Sequence, residues 1–253
     1  MTLYSQIIGE GTPFVILHGF LGMGDNWKTL GKKFSELGYQ VHLVDQRNHG
    51  RSFHSDAFNY GIMAKDLREY FEHHKLDSAV LLGHSMGGKT AMQFAVDHPE
   101  KVSKLIVADI APKEYPQHHQ DILKALQSLD FEQISSRGEA EEVLSSYIEE
   151  EGTKLFLLKN LYWREKGKLG LRMNLKVLAE KIEAVGESLP RTTVFKGETL
   201  FLRGGRSGYI SEYDEVLIRK HFPKAQIRTI SNAGHWLHAE NPSEFYQNVK
   251  DFL

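Results

Sequence analysis

No cysteine occurs among the 253 residues of the chain. A chain without cysteine has no disulfide framework, no thiolate ligand for a metal and no cysteine nucleophile. Long apolar runs are also missing, since no stretch approaches the ~20 apolar residues that a membrane-spanning helix needs. Residues 1–10 lack the basic segment and apolar stretch of a secretory signal. We therefore expect a soluble, cytoplasmic protein with no membrane partner.

An excess of charge of either sign is missing as well. The chain has 31 lysine and arginine residues against 33 aspartate and glutamate residues, so its formal net charge is -2. Such a balance provides no positive field that would gather nucleic acid, and we expect a small-molecule partner and no nucleic acid. The length suits one α/β domain, or a domain with an insertion, that buries a sizeable core. Nothing in the sequence predicts an oligomeric state.

Short apolar runs recur between amphipathic segments along most of the chain. The runs with the composition of strands are residues 14–17, 41–44, 80–82, 105–107, 200–202 and 227–230. Strands that alternate with helices form βαβ units, so we predict an α/β fold with a mostly parallel central sheet and helices on both faces. Residues 3–8 add an antiparallel edge strand. In such sheets reactive residues lie just past the carboxyl ends of the strands.

This alternation stops between about Pro112 and Pro190. The segment has no convincing strand and is rich in Glu, Lys, Gln and Leu, with apolar residues at helical spacing such as Leu126 and Leu129. We expect residues 112–190 to form a helical cap over the strand ends. The cap would then separate a first part of the core, residues 1–111, from a second part, residues 191–253. The alternative is a longer helical layer of the main domain.

Residues 83–87 read Gly-His-Ser-Met-Gly, which fits the G-x-S-x-G pattern of a nucleophile elbow. In this turn a serine, here Ser85, sits between a strand and a helix with its hydroxyl exposed. The glycines two positions before and after it are needed because a side chain there would collide with neighbouring backbone. The helix that follows points its first free N–H groups toward negative charge that develops beside the hydroxyl. The motif thus predicts a nucleophilic serine.

The same stretch also fits an unrelated motif. Residues 83–90 match G-x-x-x-x-G-K-T, the Walker A loop that wraps phosphates in backbone N–H groups. Residues 104–109 supply a strand that ends in an acidic residue, as a magnesium-binding Walker B segment requires. This alternative predicts a nucleotide-binding P-loop protein. It gives no account of residues 18–22, 45–52 and 232–242, which a nucleophile elbow explains, so we favour the elbow.

Residues 18–22, His-Gly-Phe-Leu-Gly, directly follow the predicted strand that ends at Leu17. In elbow hydrolases the early strand-to-helix loop contributes one N–H group to the oxyanion hole, and the residue after the serine contributes the other. The candidates are the backbone N–H groups of Phe20 and Met86. One fixed donor of this kind lowers the barrier by about 3 kcal/mol. The alternative is a plain glycine-rich turn.

The candidate base comes late in the chain, within residues 232–242. The base of an elbow hydrolase lies on a late loop that places an imidazole against the serine hydroxyl. His235, which follows the flexible Gly234, fits this role. His238 is the competitor, but its position one turn into the predicted helix suits packing or hydrogen bonding.

The turn at residues 45–52 is polar and follows a strand. Its side chains include Arg47, His49 and Ser52, which have local backbone groups within reach of hydrogen bonds. We expect these three residues to brace neighbouring loops rather than take part in chemistry.

Several segments together resemble the α/β-hydrolase superfamily and, more narrowly, the YbfF-type esterases and their mitochondrial relatives. They are residues 18–22, 25–27, 45–52, 83–89, 109–112, 203–205 and 234–238. The likeness spans nearly the whole chain and weakens only in the cap. The resemblance implies an α/β-hydrolase fold with a helical cap insertion. It also implies hydrolysis of short to medium acyl esters, with acyl-CoA thioesters as a further substrate class.

The loop that carries the catalytic acid in most superfamily members, here residues 203–209, contains no carboxylate. The resemblance to YbfF-type enzymes implies that Asp109 supplies the acid from an earlier strand, and that Ser207 occupies the vacated position within the same hydrogen-bond network. A histidine base needs a fixed carboxylate on its other nitrogen, and neighbouring parallel strands bring their carboxyl ends together. Glu212 and Asp214 are the alternatives, although they have the position of helix N-terminal residues.

These features together predict a serine hydrolase. Ser85, deprotonated by His235, attacks an ester or thioester carbonyl, and water then cleaves the acyl-enzyme. The chemistry requires no metal and no organic cofactor. Residues 155–158 and 161–163 are the candidate lining of an acyl pocket between the strand ends and the cap. Besides the P-loop protein, a non-catalytic ligand receptor on the hydrolase fold is the remaining rival.

Overall fold

The computed structural model describes residues 1–117 and 119–253. The strands are β1 (Ser5–Ile8), β2 (Thr12–Leu17), β3 (Tyr39–Val44), β4 (Ala79–His84), β5 (Val102–Ala108), β6 (Leu161–Glu165), β7 (Lys168–Leu171), β8 (Thr199–Gly204) and β9 (Ala225–Ile230). The helices are α1 (Lys28–Ser35), α2 (Tyr60–His73), α3 (Met86–Asp97), α4 (Gln120–Gln127), α5 (Arg137–Ser145), α6 (Glu151–Leu158), α7 (Leu175–Glu180), α8 (Ile182–Gly186), α9 (Asp214–His221), α10 (Leu237–Glu240) and α11 (Pro242–Lys250).

The central sheet has the strand order β1-β3-β2-β4-β5-β8-β9 over the described residues. Its neighbouring strands pair in parallel, except that β1 runs antiparallel to β3. The chain passes from β2 to β3 on one side and then crosses to β4 on the other. The loops after β2 and β4 therefore diverge at a topological switch point, where open α/β sheets bind their ligands. The predicted mostly parallel sheet and its antiparallel N-terminal edge are confirmed.

Both faces of the sheet are covered, which explains why its strands read as continuous apolar runs. Successive residues of a strand point to opposite faces. Thus Val15 and Leu17 pack in a cluster with side chains of α2 and α3, whereas Phe14 and Ile16 pack in another with side chains of α1 and α11. All six residues of β4 are buried. The strand that leads to Ser85 thus lies in the middle of a fixed scaffold.

Residues 112–190 lie between β5 and β8 and contain α4 to α8. Their buried apolar side chains form a cluster that also includes Phe20, Tyr60 and Met86 from the first part of the chain. Phe20 lies in the loop that follows β2, and Met86 begins the helix that follows β4 and Ser85. This segment therefore packs over the carboxyl ends of those two strands.

The segment also contains a hairpin, and the expectation that it holds no strand is wrong. Strands β6 and β7 pair antiparallel with Glu165 opposite Lys168. Gly167 in the turn between them has φ of +83°, in the left-handed region that favours glycine. A short strand pair of mixed polarity is hard to recognise next to helices, because only a few of its side chains are buried: Leu161 lies in the apolar cluster while Trp163 is 53% exposed.

Candidate active site

The turn at Ser85 has the geometry of a nucleophile elbow. Strand β4 ends at His84, α3 begins at Met86, and Ser85 between them has φ of 52° and ψ of -118°. A Cβ on Gly83 would lie 2.1 Å from the carbonyl oxygen of Gly87, and one on Gly87 would lie 2.5 Å from that of Leu17. Only glycine fits at these two positions, as the motif predicted.

The structure brings Ser85, His235 and Asp109 into one hydrogen-bonded chain. Ser85 Oγ lies 2.9 Å from Nε2 of His235, and Nδ1 of the same imidazole lies 2.8 Å from Oδ2 of Asp109. Ser85 follows β4, Asp109 follows β5 and His235 follows β9, so each residue sits past the carboxyl end of its strand. The Asp109 side chain is fully buried. This arrangement can move a proton from the serine hydroxyl to an imidazole held by a carboxylate.

Asp109 is held by donors besides His235. The backbone N–H of Gly204 donates to its Oδ1 at 2.9 Å, and the Ser207 hydroxyl donates to its Oδ2. The last residue of β8 thus contributes an amide donor to Asp109, and the loop after β8 contributes a hydroxyl donor. Of the alternative acids, Asp214 begins α9 and accepts hydrogen bonds from Ser211 and from Lys113, so its carboxylate is bonded to residues other than His235.

The backbone N–H groups of Phe20 and Met86 have no hydrogen-bond acceptor within residues 1–117 and 119–253. Met86 is the first residue of α3, where helical N–H groups lack an intrahelical partner and the helix dipole favours negative charge. The next residue of the Phe20 loop, Leu21, donates its N–H to Nε2 of His49 at 3.2 Å. That contact confirms the bracing role predicted for His49.

The other two residues of the polar turn also act as braces. Arg47 forms a bidentate pair with the buried Asp66 on α2, at 2.5 and 2.6 Å. The Ser52 hydroxyl donates to the carbonyl of Asp45 and accepts the N–H of Tyr4. These contacts fix the turn that supports the Phe20 loop, as the sequence predicted.

The rings of His84 and Tyr209 pack against the His235 imidazole, and no sequence motif predicted either contact. The Nε2–H of His84 donates to the backbone carbonyl of His235 at 2.8 Å. The Tyr209 ring stacks on the imidazole with 3.8 Å between ring centroids. His84 occupies a variable position of the elbow motif and Tyr209 lies in an irregular loop, so neither residue belongs to a recognisable pattern.

His238 packs rather than reacts. Its ring stacks on Trp27 with centroids 4.1 Å apart, as expected for the competitor of His235. Burial lowers the pKa of His238 to about 3. Burial is also the main reason that the pKa of His84 lies well below the ordinary histidine value. Both rings are therefore neutral near pH 7 and place no positive charge beside His235.

Ser85 borders two cavities. The larger has a volume of about 230 Å³ and a mainly apolar wall that includes Trp27, Ile122, Phe156, Leu157, His235 and His238. The smaller has a volume of about 20 Å³ and a wall that includes Met86, Ile110, Tyr115, Ile182, Val185 and Gly186.

Of the residues predicted to line an acyl pocket, two border a cavity at Ser85. Phe156 and Leu157 line the larger cavity. Leu155 and Trp163 instead have 51% and 53% of their surface exposed. In the short helix α6 and the strand β6, apolar residues occur both at the cavity and on the surface, so residue type alone did not predict which side chains line the cavity.

The nucleotide-binding alternative is wrong. Lys89, the lysine of the Walker A pattern, is completely buried and donates to the backbone carbonyls of Lys113 and Glu187, each at 2.5 Å. A P-loop lysine instead reaches the phosphates that its loop surrounds. The acidic residue of the Walker B pattern, Asp109, bonds to His235. As for metal ions, no group of three or more His, Asp or Glu side chains suited to hold one occurs in the part of the chain that the structure describes.

Comparison with known proteins places this geometry in a family. The family model of the alpha/beta hydrolase fold matches residues 12–139, which contain the Phe20 loop, the elbow and Asp109. The chain belongs to the α/β-hydrolase family. This hydrolase is 37% identical over 259 residues to the sn-1-specific diacylglycerol lipase ABHD11 of Mus musculus, across 99% of this chain and 84% of the mouse protein.

Further relatives of the hydrolase have names of the same kind. It is 33% identical to esterase YbfF of Escherichia coli, across 96% of this chain and 94% of the bacterial one. The solved structure of a marine microorganism esterase superposes with a TM-score of 0.97 at 42% identity and covers both chains completely. The hydrolase is thus an enzyme of the esterase and lipase type. Within residues 1–117 and 119–253, none of its helices combines the length and the apolar character needed to cross a membrane.

Proposed function

We propose that this enzyme hydrolyses small carboxylic esters through a triad of Ser85, His235 and Asp109. The observation that carries the proposal is the continuous hydrogen-bonded chain from the Ser85 hydroxyl through the imidazole to a buried carboxylate. An alcohol becomes a nucleophile at neutral pH only when an adjacent base removes its proton. His235 has both the distance and the orientation for that transfer.

The reaction proceeds in two halves. His235 Nε2 takes the Ser85 proton as Oγ attacks the ester carbonyl, and the backbone N–H groups of Phe20 and Met86 receive the oxyanion. The imidazolium, stabilised by Asp109, then gives its proton to the leaving alcohol and an acyl-enzyme remains. Water, deprotonated by His235, cleaves the acyl-enzyme in the second half and regenerates Ser85.

The same route serves thioesters, because an acyl-CoA also presents a carbonyl carbon with a leaving group. Oxygen esters are the primary proposal, since the mouse relative is named a lipase and the Escherichia coli relative an esterase. A non-catalytic receptor on this fold is disfavoured because it has no need for a serine, an imidazole and a carboxylate at bonding distance. Screening p-nitrophenyl esters beside acyl-CoA esters compares the two substrate classes.

Residues 112–190 are proposed to act as the cap of the site. Ile122, Phe156 and Leu157 from this segment line the larger cavity, which Ser85 also borders. A cap of apolar side chains excludes water from the acyl-enzyme until the alcohol has left, and it supplies the surface on which an ester binds.

A fluorophosphonate probe tests the proposed function, since it labels only activated serines. We expect one label per chain at Ser85, identified by mass spectrometry of the peptide, together with turnover of p-nitrophenyl acetate. The Ser85→Ala variant is expected to lose both the label and turnover while its circular dichroism is unchanged. Labelling that persists in this variant, or an unreactive wild-type enzyme, would contradict the assignment.

A further inference from the structure

The two cavities beside Ser85 are not equivalent for an ester that reacts there. His235 contributes to the wall of the larger cavity, and it is not among the described residues that line the smaller one. In the proposed mechanism the His235 imidazolium must protonate the oxygen of the leaving alcohol. The alcohol portion of the ester therefore extends into the larger cavity, and the acyl portion points toward the smaller one. This step rests on the proposed function.

The smaller cavity has the character of a site for a very small apolar group. Its volume is about 20 Å³, and a water-sized group needs about 10–15 Å³ measured this way. The side chains of Met86, Ile110, Ile182 and Val185 make its wall mainly apolar, and Gln117 and His119 also border it. At Gly186 even an added Cβ would lie 2.4 Å from the carbonyl oxygen of Tyr115.

Hydrogen bonds hold the wall of the smaller cavity in place. The backbone N–H of Tyr115 donates to the carbonyl of Gly186 at 2.9 Å, which joins the two ends of the cap segment. The Tyr60 hydroxyl, from α2 in the core, donates to the carbonyl of Val185 at 2.6 Å. Expansion of the cavity would break these bonds and leave backbone groups unpaired.

Lys89 adds a further anchor from the nucleophile helix. Its buried ammonium donates to the carbonyl of Lys113 where the cap segment begins and to that of Glu187 where it ends. Lys89 lies one helical turn after Ser85 on α3. The helix that presents the nucleophile thus also fixes the position of the cavity wall relative to it.

We propose that the smaller cavity is the acyl-binding site, that it selects acetyl and propanoyl groups, and that Ile182 and Val185 set this limit. The alcohol group occupies the larger cavity, which admits chains of varied length. The preferred substrates are therefore short-chain acyl esters of larger alcohols.

Two ester series separate the roles of the cavities. The first series keeps p-nitrophenol as the alcohol and lengthens the acyl chain from acetyl through butanoyl to hexanoyl. The second series keeps the acetyl group and lengthens the alcohol from methyl through butyl to hexyl. Hydrolysis in the second series is measured by titration of the released acid. One misfitted methylene in an apolar pocket costs about tenfold or more in kcat/KM. We expect a loss of about tenfold or more from acetyl to butanoyl, and no comparable loss along the alcohol series.

Ile182→Ala and Ile122→Ala form a matched pair with the same change of side chain in the two cavities. Both isoleucines are partly exposed, so neither truncation removes a fully buried core residue. Ile182→Ala is expected to raise the butanoyl-to-acetyl ratio of kcat/KM by about tenfold and to leave the alcohol series as in wild type. Ile122→Ala is expected to alter the alcohol series and to leave the acyl series as in wild type.

A flat acyl-length profile in the wild-type enzyme would overturn the assignment of the smaller cavity. The same holds if Ile122→Ala changes the acyl preference while Ile182→Ala does not, because the acyl chain then occupies the larger cavity. Fluorophosphonate labelling of each protein separates this failure from failure of the proposed function: an enzyme that labels at Ser85 but shows either result loses only the acyl-site assignment.

Discussion

Several residues at the site hold backbone conformations that are unfavourable for a side chain. Leu21, Ser85 and Asp109 have φ of 60°, 52° and 52°, in the left-handed region. Such strain costs about 1–3 kcal/mol per residue and persists only where the surrounding structure enforces it. At Ser85 and Asp109 the strained backbone carries a side chain that hydrogen-bonds to His235, and at Leu21 it shapes the loop that presents the Phe20 N–H.

Replacement of Asp109 tests the assignment of the acid. In Asp109→Asn an amide replaces a carboxylate that accepts from His235, Gly204 and Ser207. The imidazole loses its fixed tautomer and the charge that stabilises the imidazolium, and we expect kcat for p-nitrophenyl acetate to fall by about 10⁴-fold. Steady-state kinetics measure the loss, and circular dichroism checks that the fold is retained.

Ser207→Ala is the control for that variant. It removes one donor to Asp109 but keeps the carboxylate, and we expect a loss of about tenfold or less, in line with one ordinary hydrogen bond. If Asp109→Asn retains near wild-type turnover, the acid lies elsewhere, with Glu212 and Asp214 as the next candidates.

At the scale of elements, helix α3 has two roles: it presents a backbone N–H next to Ser85, and it anchors the segment 112–190. Its first residue, Met86, has a backbone N–H beside the proposed nucleophile that finds no acceptor among the residues the structure describes. Lys89, one turn later, donates to carbonyls near both ends of the segment 112–190. Burial is the main reason that the pKa of Lys89 is lowered to about 7. The negative charges of Glu187 and Glu114 oppose this lowering, and the positive charge of Lys113 contributes to it. The helix thus carries a cation whose charge is costly in the folded protein.

This lowered pKa predicts a pH-dependent stability. In the unfolded chain the lysine keeps its proton up to about pH 10.4, whereas the folded protein releases it near pH 7. The unfolded state then binds more protons between these values, so the free energy of unfolding should rise with pH by up to about 1.4 kcal/mol per unit. Urea unfolding of wild type and Lys89→Met, from about pH 7 to about pH 10, measures the effect.

The Lys89→Met variant removes the titrating group and leaves the rest of the chain unchanged. We expect the difference in unfolding free energy between wild type and variant to increase with pH over that range. A difference that stays constant would show that Lys89 titrates as it does in the unfolded chain, and one that decreases would show that folding raises the pKa of Lys89; either result contradicts the prediction.

At the scale of the whole molecule, the sheet collects groups that are distant in sequence. Ser85 and His235 are 150 positions apart, yet the strands that precede them belong to one sheet with β5 and β8 in between. The proposed cap, residues 112–190, is tied to the same region, because Nδ2 of the buried Asn160 donates to the carbonyl of Leu21 at 2.9 Å. The position of the Phe20 loop thus depends on the sheet and on the cap together.

Asn160→Ala tests this connection between cap and core. The variant leaves the Leu21 carbonyl without its donor, which costs about 1–3 kcal/mol of stability for a buried group. The Phe20 N–H should also lose its fixed position, so we expect kcat/KM to fall by about tenfold, corresponding to about 1.4 kcal/mol of transition-state stabilisation. Urea unfolding and ester kinetics measure the two effects.

Asn174→Ala provides a comparison within the same segment. The Asn174 side chain donates to Oδ1 of Asn48 at 3.1 Å, a tie between the proposed cap and the core that makes no direct hydrogen bond to the Phe20 loop. We expect this variant to lose stability but to keep kcat/KM close to wild type. Equal kinetic losses in the two variants would mean that Asn160 has no special effect on the oxyanion site.

Much of the fold follows from local patterns. The apolar runs indicated the strands of the sheet because a strand buried on both faces must be apolar throughout. The sequence did not predict the hairpin β6–β7, since only part of it is buried and the turn residue Gly167 is the main local feature that indicates it. The glycines around Ser85 predicted the elbow because the sharp turn brings backbone atoms close to both of them, those of Gly87 at Gly83 and those of Leu17 at Gly87.

The sequence by itself determined the sheet, the elbow turn and the residue types available for catalysis, because backbone sterics and the period of apolar residues act over a few neighbours. Only the tertiary structure decided that Lys89 binds backbone carbonyls, that His84 and Tyr209 hold the His235 imidazole, and that the cavities beside Ser85 differ in size. These features depend on distances between segments far apart in the chain. Packing of the sheet against the cap sets those distances, and no local pattern records them.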